Sequence, residues 1–67
     1  MDKKKARRLV LARLADIADY LCDAAACIRA ARDLTPRADV AGHDRLNRIE
    51  SAIIVAAEHY QEIASGR

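Results

Sequence analysis

Between Val10 and Ala31 the apolar residues recur in alternating steps of four and three, at Val10, Leu14, Ile17, Leu21, Ala24, Ile28 and Ala31. Sustained over three repeats, that spacing is the stripe of a helix packed lengthwise on another helix. Beside it runs a second column of mostly small residues, Leu11, Ala15, Ala18, Cys22 and Ala25. The resulting apolar face is wider than a two-stranded seam requires. Such a helix needs more than one neighbour, and this requirement governs what the chain can become.

The first helix should span about residues 3 to 34, because Pro36 disfavours helical geometry at Thr35 before it. The segment "LTPRADVAGHD", residues 34 to 44, concentrates the turn chemistry. It reads best as a loop over about 35 to 42, with Gly42 a hinge; the alternative is that Thr35 caps a second helix running straight through Gly42. From about His43 to residue 64 a second stripe follows at Leu46, Ile49, Ile53, Ala56, Tyr60 and Ile63, and Gly66 ends it. No Trp or Phe, two Tyr, two Gly and one Pro leave little material for strands or further turns. The expected fold is all-α: a single domain over residues 1–67, an antiparallel two-helix hairpin.

In a hairpin each helix has one neighbour, too few to cover both a main and a flanking stripe. Two hairpins paired as a four-helix bundle satisfy the pattern, so a symmetric homodimer is expected. A chain of 67 residues also buries proportionally little surface alone, and oligomerisation is one remedy. The expected dimer and core interface is Val10, Leu14, Ile17, Leu21, Cys22, Ala25, Ile28, Leu46, Ile49, Ile53, Ala56, Tyr60 and Ile63. The alternative is a monomer with a wet apolar face, itself the mark of a binding site.

Several patterns resemble chemical sites and are better explained otherwise. Cys22 and Cys27 lie five residues apart, roughly 140° around a helix, which sets them on different faces and forbids an intrahelical disulfide. With His43 and His59 sixteen apart, no zinc-type spacing exists, and no metal or cofactor is expected. Cys22 is expected to be buried in the alanine column and Cys27 to be accessible. Asp16, Asp19 and Asp23 share a flank without a nearby nucleophile or histidine, so catalysis and a small-molecule substrate are not expected. That flank is either solvated or a contact for a basic partner. Tyr20, one turn from Asp16 and Asp23, is the favoured hot spot for a partner, and Asp16, Tyr20, Asp23 and Cys27 form the expected partner-binding set. His59 and Tyr60 read as interface or core residues.

Charge is local at the N-terminus. Residues 1–13 carry +5 and the remainder −3, within a net charge of +2. Lys3, Lys4, Lys5, Arg7 and Arg8 are therefore the candidate nucleic-acid contacts, able to neutralise phosphates. An antiparallel hairpin is expected to set them beside Glu58 and Glu62, and no aromatic platform accompanies them. The stretch after the lysines is broken by Arg7, Arg8, Arg13 and Asp16, unlike a signal peptide. "SAIIVAA" is far shorter than the roughly 20 apolar residues of a membrane span. A cytoplasmic protein with reduced thiols is expected.

In outline the helix–turn–helix pattern resembles the Rop-type plasmid RNA-binding proteins, short antiparallel hairpins that dimerise into four-helix bundles. The resemblance covers nearly the whole chain, carries no shared motif, and implies an RNA- or DNA-binding regulator as the alternative function. The favoured reading is a non-enzymatic homodimer that regulates another protein as inhibitor, anti-activator or adaptor. An Ala- and Arg-rich chain of this size suits a bacterial or phage accessory factor.

Overall fold

The computed structural model describes residues 2–66, which form two helices: α1 (Lys3–Leu34) and α2 (Val40–Ala64). No strand occurs among the described residues. Asp2 opens α1 by accepting the Lys4 N–H at 3.2 Å, and Thr35 closes it. The Thr35 hydroxyl donates to the Ala31 carbonyl at 2.9 Å and its N–H to the Arg32 carbonyl at 3.0 Å. A turn follows in which the Asp39 N–H donates to the Pro36 carbonyl at 2.9 Å. At the far end Gly66 adopts φ 78°, the left-handed conformation that favours glycine after a helix.

The second helix begins three residues earlier than the expected His43 and runs through Gly42, capped by Asp39 rather than Thr35. Asp39 Oδ1 accepts the Gly42 N–H at 2.9 Å. A Cβ at position 42 would overlap that carboxylate, with Asp39 Cγ 2.7 Å away. Gly42 is thus no hinge. Its missing side chain is the space in which the cap folds over the first turn.

The helices pack against each other as an antiparallel hairpin. Arg29 and Arg32, late in α1, meet Glu50 in the first half of α2, while Cys22 and Ala25 share a groove with Ala57 and Gln61. The inner column of α1 runs Leu11, Leu14, Ala18, Leu21, Ala25, Ile28 and Arg32; that of α2 runs His43, Leu46, Glu50, Ile53, Ala57, Tyr60 and Ala64. Among the described residues only Ala18, Ala25 and Ala57 are buried outright.

The seam between the helices therefore differs from the predicted stripe by half. Leu14, Leu21, Ile28, Leu46, Ile53 and Tyr60 belong to both, but alanines replace Ile17, Ala24, Ala56 and Ile63 as their partners, one residue further along. Small side chains at the closest approach let the backbones come near. The displaced column stays on one flank, with Val10, Ile17, Ile49 and Ile63 all exposed.

Candidate interaction surfaces

The hairpin presents two unlike sides. One carries Val10, Ile17, Ala24, Ile49, Ala56 and Ile63, the column of each helix that precedes the inner one. Taken every seventh residue, this line is uncharged from Val10 to Ala31 and from Gly42 to Ile63, and it is bordered by Arg13, Tyr20, Cys27, Arg45 and His59, which precede the other inner residues. The other side carries Ala15, Cys22 and Arg29 from α1 with Asn47, Ile54 and Gln61 from α2. There a shallow groove of about 280 Å³ has Ala25 and Ala57 in its lining with Cys22 and Ile54, alongside Arg29, Glu58 and Gln61. An open polar hollow lined by Glu58, Gln61, Glu62 and Ser65 lies near the end of α2.

Placement of the expected interface residues follows from this division. Leu14, Leu21, Ala25, Ile28, Leu46, Ile53 and Tyr60 lie in the inner columns; Val10, Ile17, Cys22, Ile49 and Ile63 are exposed, and Ala56 is half-buried. Cys22 was expected inside the alanine column and instead stands exposed on the groove side. The inner column passes through Ala18 and Ala25, so Cys22 falls four residues after one and three before the other, on their flank. Cys27 is exposed too, and both thiols are free.

Asp16, Tyr20, Asp23 and Cys27 follow one another in steps of four, three and four, so they share one strip on the outer face of α1. All four are exposed, and Tyr20 most clearly, at 74%. An aromatic ring held that far into solvent between two carboxylates offers an anchor with a charged surround. His59 packs edge-on to Tyr60, with ring centroids 5.7 Å apart.

A different end of the molecule holds the basic cluster. α1 has 32 residues and α2 has 25, joined by a short connection, so about 10 Å of α1 runs past the end of α2. Lys3, Lys4, Lys5, Arg7 and Arg8 lie in this overhang, all exposed. The hairpin was expected to set them beside Glu58 and Glu62, and no ion pair among the described residues joins the two groups. Ion pairs among the described residues join Arg29 to Glu50 at 2.6 Å, Arg32 to Glu50 at 3.0 Å and Arg48 to Asp44 at 2.9 Å.

Among the described residues, Glu50 is the one carboxylate drawn into the seam. Arg29 and Arg32 reach it from α1, and Arg32 Nη1 also donates to Asn47 at 2.7 Å. With His43 Nε2 3.1 Å from the Thr35 carbonyl, these contacts fasten the loop end of the hairpin. Among the described residues, no three His, Cys, Asp or Glu side chains gather as a metal site would require. No helix among them is long and apolar enough to cross a membrane. No family model, curated protein or solved structure matches the chain.

Proposed function

We propose that the chain is a non-enzymatic homodimer, two hairpins assembled as a four-helix bundle, that works in the cytoplasm by occupying a surface of another protein as inhibitor, anti-activator or adaptor. The observation that carries this reading is the imbalance of apolar surface. Three buried alanines are a small core for 65 described residues, while Val10, Ile17, Ile49 and Ile63 remain in solvent on one side. Dimerisation covers apolar surface, and the strip of Asp16, Tyr20, Asp23 and Cys27 on the outer face of α1 supplies the contact for the partner.

Two measurements test this. Sedimentation at micromolar concentration should give twice the chain mass; the mass of one chain rejects the dimer. A tagged chain should retain a host protein that Tyr20→Ala releases while helicity and mass stay unchanged. Equal retention by both removes the strip from the reading.

A second reading, a Rop-like RNA- or DNA-binding regulator, is favoured by one observation: the five basic residues of the overhang are exposed and outside the ion pairs found among the described residues. Phosphate binding by that cluster must weaken steeply with salt. Random-sequence RNA and DNA, titrated at low and moderate salt, decide it, and absence of binding at low salt ends it.

A further inference from the structure

We propose that the side of the hairpin carrying Val10, Ile17, Ala24, Ile49, Ala56 and Ile63 is the seam on which a second copy of this chain seats, with the groove beside Cys22 and Ile54 left outside it. The assignment rests on the homodimer reading above and adds which of the two sides is buried.

Chemistry distinguishes the sides first. Every residue in the two columns of the proposed seam, from Val10 to Ala31 and from Gly42 to Ile63, is uncharged and apolar or glycine. A copy related by two-fold symmetry brings each patch against itself, so any charge present would meet its own duplicate or be buried unpaired. Burying the opposite side would instead desolvate the Arg29 guanidinium, already committed to Glu50, together with Asn47 and Gln61.

Shape points the same way. Ala25 and Ala57 line one groove and so lie at one level of the hairpin. Their neighbours Ala24 and Ala56 accordingly form a narrow waist on the other side, between Ile17 and Ile63 towards one end and Ile49 towards the other. Two such waists laid together allow close backbone approach, while the isoleucines at each end interdigitate with those of the copy. The molecule is 57 Å long and only 17 by 13 Å across, so a copy laid lengthwise on this side meets it over several helical turns. A foreign protein is the poorer occupant, since an uncharged line with only Arg13 and Arg45 at its border offers little to set register or to exclude wrong partners. A second copy is present whenever the chain is.

Two isoleucines on α2 make the test. Ile49 and Ile54 are 40% and 38% exposed in the single hairpin, yet stand on opposite sides of it. Ile49→Glu should weaken dimerisation at least a hundredfold, about the effect of an unpaired carboxylate at each copy's seam, and Ile54→Glu by less than about threefold. Dissociation constants come from sedimentation equilibrium, with circular dichroism to verify helicity. Should Ile49→Glu fail to fold, Ile49→Cys and Ile54→Cys, each in a Cys22→Ser/Cys27→Ser background, replace it. The thiol at position 49 should then react at least about tenfold more slowly than that at 54, and the two rates should converge on dilution. A wild-type dimer broken by Ile54→Glu, or by both or neither substitution, overturns the seam and leaves the dimer standing. A single-chain mass for the wild type removes both.

Discussion

At the residue scale, Gly42 is where a side chain that is absent does the most. Ala is better than Gly inside a helix by about 1 kcal/mol, so Gly42→Ala taken alone should stabilise α2. The Asp39 carboxylate occupies the space of that methyl group, and the cap it makes is worth about 1 kcal/mol. Gly42→Ala should therefore be neutral or destabilising in the wild type and stabilising in an Asp39→Ala background, a change of sign that a double-mutant cycle by urea denaturation will register. The inner alanines make a second test. Ala25 is fully buried and Ala26 exposed, so Ala25→Leu should cost about 1–3 kcal/mol through overpacking, whereas Ala26→Leu should stay within about 0.5 kcal/mol. Both alanines stand within a run that pattern alone leaves undivided.

At the element scale, the two helices were legible because their apolar periods are long and their ends carry turn chemistry at Thr35, Pro36 and Gly66. The start of α2 was not. Two capping candidates, Thr35 and Asp39, precede it, and the choice between them depends on a carboxylate reaching over a neighbouring glycine. Leu21 belongs to the inner column on either reading, and a carboxylate there would be buried against α2 with no partner. Leu21→Asp should thus abolish the helical signal and, with it, the proposed dimer. The overhang of α1 should behave in the opposite way. Replacing Lys3, Lys4, Lys5, Arg7 and Arg8 by Gln removes exposed charges outside the ion pairs described, so unfolding free energy should change by less than about 0.5 kcal/mol. If these residues bind phosphate, the same replacement abolishes nucleic-acid binding, separating function from stability in one protein.

At the scale of the whole molecule, the hairpin buries three small side chains among the described residues and leaves larger ones in solvent. A dimer that supplies the missing core makes folding depend on concentration. The melting midpoint should accordingly rise as the chain is concentrated from the nanomolar to the micromolar range, and scans by circular dichroism at several concentrations measure it. A midpoint independent of concentration across the dissociation range means that the hairpin is stable alone. Ile49→Glu should lower the midpoint at high concentration more than Ile54→Glu, since only the former places a carboxylate in the proposed seam.

The sequence by itself determined that the chain is helical, that it turns back once, and that its apolar residues outnumber the positions between two helices. Those properties follow from period and composition, which depend on neighbours in the chain. Tertiary structure alone decided which column goes inside. Adjacent columns on a helix are about 100° apart, and the one that goes inside carries Arg32, His43 and Glu50 while its apolar neighbour stays out, so hydropathy alone selects the wrong one. The choice falls to side-chain volume at the closest approach, where alanines admit the neighbouring backbone and isoleucines are set on the flank.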